Sequence, residues 1–149
     1  MMRDGPFHGR CLCGAVRVTA ARLDDEISAC HCDLCTRWGG GVQMGIEAPA
    51  DGLSIDGPVK VHRSSRLAER GWCDTCGSAV FFRYVEDRDT GYLELSPGLF
   101  DNAGGARLTR VVYADRRPHG YWLEGEDVAR IGRKSYEADN PHLSQETTP

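Results

Sequence analysis

Trp72-Cys73-Asp74-Thr75-Cys76-Gly77-Ser78 decides how this chain folds. Two thiols three residues apart on a tight turn, followed by a glycine that accepts positive φ, form a sulfur knuckle with backbone N–H groups aimed at the sulfurs. A second pair stands at Cys11-Leu12-Cys13-Gly14. Same-face residues on an extended strand have Cα atoms about 6.6 Å apart, whereas sulfurs around a tetrahedral zinc lie about 3.7 Å apart, so the strand must curl at Cys13, and Gly14 makes the curl easy. Joined, the two knuckles make a closed four-cysteine site of Cys11, Cys13, Cys73 and Cys76. Structural zinc contributes about 10–16 kcal/mol in peptides, comparable to the whole stability of a domain this size. The metal expected there is structural.

The other three cysteines sit in Cys30-His31-Cys32-Asp33-Leu34-Cys35, where one turn can present three sulfurs to one ion. Three protein ligands plus an open position is the pattern that separates reactive from structural zinc. The alternative is closure by His31, His62 or His119, which would make this site a second staple. Three thiolates weaken the metal as a Lewis acid for water, which disfavours hydrolysis, while a soft site favours a substrate thiol held as thiolate. Two zinc ions per chain are expected. Seven thiolates against two doubly charged ions would lower the net charge by three, to −7, and Arg10, Arg17, Arg37 and Arg70 flank the clusters as candidate counter-charges.

The rest of the composition is that of one domain. The chain has 149 residues, 40% of them apolar and 27% charged. Seven cysteines cannot all pair as disulfides, and neighbouring Cys-x-Cys thiols would be strained if they did. Clustered free thiols point to metal in a reducing, cytoplasmic compartment. A net charge of −4 with no basic block argues against nucleic acid as a partner. No apolar run of about 20 residues is present and the first ten residues lack a secretory apolar stretch, so no membrane association is expected. No phosphate-binding loop, Ser-His-Asp constellation or dinucleotide fingerprint occurs.

Alternating β-branched and aromatic stretches predict strands at Ala15–Val18, Val42–Ile46, Val59–His62, Ala79–Phe82, Tyr92–Leu95 and Arg110–Tyr113, separated by Gly, Asp and Pro turns. Helix is sparse: one turn at Asp33–Trp38, capped by Asp33, and a short piece near Glu126–Ile131. A fold that is mainly β with little helix is expected. Phe81, Phe82, Tyr84, Tyr92, Tyr113, Tyr121 and Trp122 read as core or sheet-face residues. Trp38, amid glycines after the third cysteine, is a candidate pocket wall.

In Gly9-Arg10-Cys11-Leu12-Cys13-Gly14-Ala15-Val16, Cys30-His31-Cys32-Asp33-Leu34-Cys35, Trp72 to Ser78 and a looser Ala114-Asp115-Arg116-Arg117-Pro118, the chain resembles the glutathione-dependent formaldehyde-activating enzyme family, which shares its domain with the centromere protein V group. The resemblance spans residues 9 to 123. It implies several coiled antiparallel sheets stapled by zinc, like the small zinc-binding exchange factor for Rab GTPases. It also implies structural zinc on Cys11, Cys13, Cys73 and Cys76, and active-site zinc on Cys30, Cys32 and Cys35. The implied activity is that of a carbon–sulfur lyase, joining glutathione to formaldehyde as S-hydroxymethylglutathione. Thr36-Arg37-Trp38-Gly39-Gly40-Gly41 stands where many relatives carry a basic residue and Ser-Gly-Ala, and Pro97-Gly98-Leu99-Phe100-Asp101-Asn102 matches the family's Gly-Thr-Leu-Asp segment loosely, so a different substrate pocket is expected. The domain is expected over residues 9–137, after a lead at 1–8 and before a disordered tail at 138–149. The competing reading is a non-catalytic β binding module with two structural zinc sites.

Overall fold

Period-two alternation sets the two faces of each strand, and the chain uses it to separate an apolar core from a polar cavity. A computed structural model describes residues 1–86 and 88–145. Among the described residues eleven strands occur: β1 (Met2–Arg10), β2 (Arg17–Asp24), β3 (Glu26–Cys30), β4 (Gln43–Pro49), β5 (Leu53–Asp56), β6 (Val59–Arg63), β7 (Ala68–Cys73), β8 (Ala79–Tyr84), β9 (Tyr92–Leu95), β10 (Arg107–Val112) and β11 (Ala129–Ile131). Two short helices, α1 (Asp33–Gly39) and α2 (Arg133–Asp139), join them with a few 3-10 turns.

The strands form two sheets, ordered β1-β2-β5 and β11-β10-β3-β4-β9-β8-β7-β6. Pairing is antiparallel except around β10, which runs parallel to both β3 and β11. The core lies between the sheets, built from Val16, Val18, Ala20 and Leu23 on one side and Ile27, Ile46, Val80, Phe81, Leu93 and Leu95 on the other. Cys11 and Cys73 belong to the same buried cluster, so the four-cysteine site grows out of the core edge.

All six expected strands are present, and the fold is mainly β. Strands β1, β3, β5, β7 and β11 are additional. The residues placed in a lead form most of β1, which pairs with β2. The helical piece expected near Glu126–Ile131 is corrected to strand β11 at Ala129–Ile131, because its backbone completes the edge of the larger sheet beside β10. The expected cap is corrected too: Cys32, with its sulfur accepting the Cys35 N–H, caps α1 in place of Asp33. Of the expected disordered stretch, residues 138–145 lie in α2 and a following 3-10 turn, anchored by buried Leu143 and by a 2.6 Å contact between His142 Nε2 and Asp89 Oδ2; residues 146–149 lie outside the described residues. One apolar anchor is too little periodicity to read in advance. Tyr121 and Trp122 are corrected from core to surface: they are 40% and 57% exposed, and the Arg117 guanidinium lies over the Trp122 ring, 5.5 Å from its centre.

Candidate metal centres and active site

Both knuckles turn through a left-handed glycine, Gly14 and Gly77, each at φ 79°. The Gly14 N–H donates to the Cys11 carbonyl, three residues back, and the Gly77 N–H to the Cys73 carbonyl, four residues back, so each glycine closes a tight turn. The Leu12 N–H donates to Ser78 Oγ at 3.0 Å, tying one knuckle to the other. The sulfurs of Cys11 and Cys13 lie 3.6 Å apart, those of Cys13 and Cys73 3.8 Å, and all four, with Cys76, lie within 4.8 Å of one another. Those spacings match the edge of a tetrahedral zinc–thiolate site, about 3.7 Å, so the donor set fits that ion. Backbone N–H groups of Ala15 and Val16 point at the sulfurs of Cys13 and Cys11. The Ser78 hydroxyl and N–H pull the Cys76 thiol down to about 5, which favours the ligating form.

Cys30 ends β3, while Cys32 and Cys35 open α1, and the three sulfurs lie within 4.8 Å of one another. The Cys32 N–H donates to Cys30 Sγ and the Cys35 N–H to Cys32 Sγ, each at 3.4 Å. Cys32 is pulled down to about 3 by the neighbouring Cys30 and Cys35 thiols, helped by the Cys35 N–H and the Arg70 charge, whereas Cys30 and Cys35 are pushed up. The trio's soft donors suit a divalent thiophilic ion. Among the described residues no histidine or carboxylate joins it. His31 points to the other side, 1% exposed, its ring 6.0 Å from that of Tyr121; His62 stacks on Trp38.

Arg70 on β7 is 2% exposed, and its Nη2 reaches Cys35 Sγ at 3.6 Å. Its Nε donates to Ser64 Oγ at 3.1 Å, its Nη1 donates to Gln43 Oε1, and its guanidinium lies 4.8 Å from the centre of the Phe82 ring. A buried cation with only neutral side chains and a sulfur around it has the cysteine cluster as its counter-charge. Of the four arginines flagged by sequence, Arg70 fills that role. Arg10 instead donates to the carbonyls of Cys11 and Leu12.

The trio opens on a cavity of about 770 Å³. Its floor is the coreless face of the larger sheet. Cross-strand pairs run His62–Arg70, Arg70–Phe82, Phe82–Glu94 and Glu94–Glu47, and on the other side Gly45–Ser28 and Ser28–Arg110, so these residues share one face. The walls are Trp38 from α1 and Tyr113, Tyr136 and Leu143 from the C-terminal part. Trp38, anticipated as a pocket wall, lies parallel to His62 at 5.7 Å and edge-on to Trp72 at 5.5 Å. Burial, then the charge of Glu47, pushes the Glu94 carboxyl up to about 7. Sequence reading passed over Glu94, Arg110 and Tyr136, because alternation marks a residue as facing away from the core without telling cavity from solvent.

A mainly β protein with one four-sulfur cluster at the edge of its core and one three-sulfur cluster facing a cavity defines a class of small thiolate-metal domain. The chain belongs to the glutathione-dependent formaldehyde-activating enzyme family, whose family model matches residues 6–116. It is 27% identical over 116 residues to an uncharacterized lyase of Schizosaccharomyces pombe, covering 77% of this chain and 83% of that protein. A crystal structure of a Rhodobacter sphaeroides protein superposes with a TM-score of 0.54 at 20% identity, covering 68% of this chain and 99% of that one, and shares the fold.

Proposed function

We propose that this protein is a zinc-dependent enzyme of carbon–sulfur bond chemistry, which takes a small thiol such as glutathione and adds it to a small electrophile such as formaldehyde. Cys11, Cys13, Cys73 and Cys76 would hold a structural zinc, and Cys30, Cys32 and Cys35 a second one at the cavity. Zinc bound to three thiolates and a substrate thiol would hold that thiol as thiolate at neutral pH. The protein's own groups do the rest: Arg70 balances the sulfur charge, Trp38 and the aromatic walls exclude water, and the polar floor orients the second substrate. The observation that carries the reading is the three-sulfur group standing at the wall of a cavity, with no fourth side-chain ligand among the described residues. A buried staple would have no such opening.

The family and the lyase-named relative support an enzyme, and the free, clustered thiols support a reducing, cytoplasmic setting. No helix among the described residues is long and apolar enough to cross a membrane. The test pairs metal analysis with X-ray absorption on purified protein, followed by NMR of glutathione and ¹³C-formaldehyde. Two zinc ions, one with a non-protein ligand replaceable by thiol, and enzyme-dependent hemithioacetal formation support the proposal. Two fully protein-ligated ions and no catalysis would favour the binding module.

A further inference from the structure

We propose that Glu94 is the proton-transfer residue of this cavity, taking the proton that the incoming thiol gives up and returning it to the carbonyl oxygen of the electrophile. This deepens the functional reading above and rests on it. In the step, the S–H bond breaks and a C–S bond forms, while the C=O π bond opens and its oxygen gains the proton. Glu94 ends as it began, and no oxidant or reductant is needed.

Four observations place it there. Glu94 lies on the cavity face of β9, in the same cavity as Cys30, Cys32 and Cys35. It makes no hydrogen bond or ion pair among the described residues, unlike Glu47, Glu69 and Glu137, each of which has an arginine within 4.0 Å. Its carboxyl occupies the space a side chain at residue 45 would fill: a Cβ on Gly45 would come within 2.7 Å of Glu94 Oε2 and 2.8 Å of Glu94 Cβ. Sheet register adds the fourth, setting Phe82 on one side of Glu94 and Glu47 on the other, one apolar and one of like charge.

The groups that act on it come from every neighbouring element. Glu47 of β4 and Cys32 of α1's cap disfavour its ionisation, Arg110 of β10 and Arg70 of β7 favour it, and Tyr92 of its own strand and Tyr136 of α2 feel its charge. Desolvation outweighs the two arginines, and the carboxyl rests near neutrality, where a group can both accept and donate a proton. Glu47, across the strand pair, has Arg110 at 4.0 Å and is the paired carboxylate of the two.

The test uses the zinc-loaded wild type, E94Q and E47Q, with glutathione and formaldehyde. Binding of glutathione is followed by Trp38 fluorescence, turnover by NMR across pH 5 to 9, and the Glu94 carboxyl by ¹³C-glutamate NMR referenced to E94Q. The proposal expects glutathione affinity within about threefold of wild type in E94Q, kcat/KM lowered on the order of 100-fold, loss of the limb near pH 7 in the rate profile, and a carboxyl titrating near neutrality that is absent from E94Q. E47Q is expected to keep that limb. An E94Q enzyme with wild-type rate and pH profile, or a Glu94 carboxyl titrating in the ordinary range, overturns the Glu94 assignment and leaves the functional reading standing. A wild type that binds zinc at both sites yet never adds thiol to formaldehyde overturns the functional reading, and the proposal with it.

Discussion

Arg70 and Cys35, 35 residues apart in sequence, meet at 3.6 Å where strand β7 passes beside the first turn of helix α1. The guanidinium is sealed from solvent and faces no carboxylate within ion-pair distance among the described residues, so the charge of the cysteine trio is what makes its burial tolerable. Arg70→Met keeps the bulk against Phe82 and removes the charge. Ser64 and Gln43 then lose their donor, and the variant is expected to be less stable by about 1–3 kcal/mol. Urea unfolding checks this, and a chelator titration is expected to strip one metal equivalent earlier than in wild type.

The two sulfur clusters differ in what they hold together. Cys73 is fully buried within the core and joins knuckles 60 residues apart, whereas the trio is local to one turn. Cys73→Ser is expected to lose one zinc equivalent together with most of the folded protein, in keeping with about 10–16 kcal/mol for a structural site. Cys35→Ser is expected to lose one equivalent and turnover while keeping its β-type circular dichroism. Metal analysis beside the spectra distinguishes the two, and a folded Cys73→Ser carrying a single zinc would refute the structural role.

Glu94 also sets a pH dependence of stability. Its carboxyl is pushed from 4.5 up to about 7 in the folded protein, so between those values the native state holds a proton that the unfolded chain has lost. Stability therefore falls as pH rises through that window and stays lower above it. Glu94→Gln is expected to be more stable than wild type above pH 7 by about 3 kcal/mol, with the gap closing below pH 4.5. Denaturant midpoints at several pH values give the measurement, and a pH-independent gap would contradict it.

Gly45 carries the close approach beneath that carboxyl. Gly45→Ala would press a methyl against Glu94 Cβ at 2.8 Å, an atom that cannot swing away, so a loss of about 1–3 kcal/mol is expected, with displacement of the carboxylate. Thermal unfolding reads the first, and the shift of the Glu94 titration reads the second.

Trp38 tests the wall of the cavity. It is 37% exposed and stacks on His62, so Trp38→Ala is expected to cost under about 1 kcal/mol of stability. Substrate KM is expected to rise several-fold with kcat nearly unchanged, the signature of lost uniform binding in steady-state kinetics.

Much of the scaffold was legible in advance. The knuckle glycines, the three-residue spacing of Cys73 and Cys76, and the alternation in strands such as Tyr92–Leu95 are local features whose physics acts within a few residues. Strands β1, β3, β5 and β7 were missed because polar and small residues interrupt their alternation, as in Met2–Arg10, and only pairing with a neighbour satisfies their backbone. The helical turns over residues 138–145 are illegible for a similar reason: Leu143 is their one buried apolar residue, and its value depends on the cavity wall it completes.

By itself, then, the sequence determined the division of seven thiols into four and three and the β character of the chain, because sulfur knuckles and side-chain alternation are short-range. The tertiary structure decided which polar side chains face the three sulfurs. Arg70, Glu94, Ser28 and Arg110 come from four different strands and share a sheet face only through cross-strand register, and a long-range relationship of that kind leaves no mark on neighbouring residues.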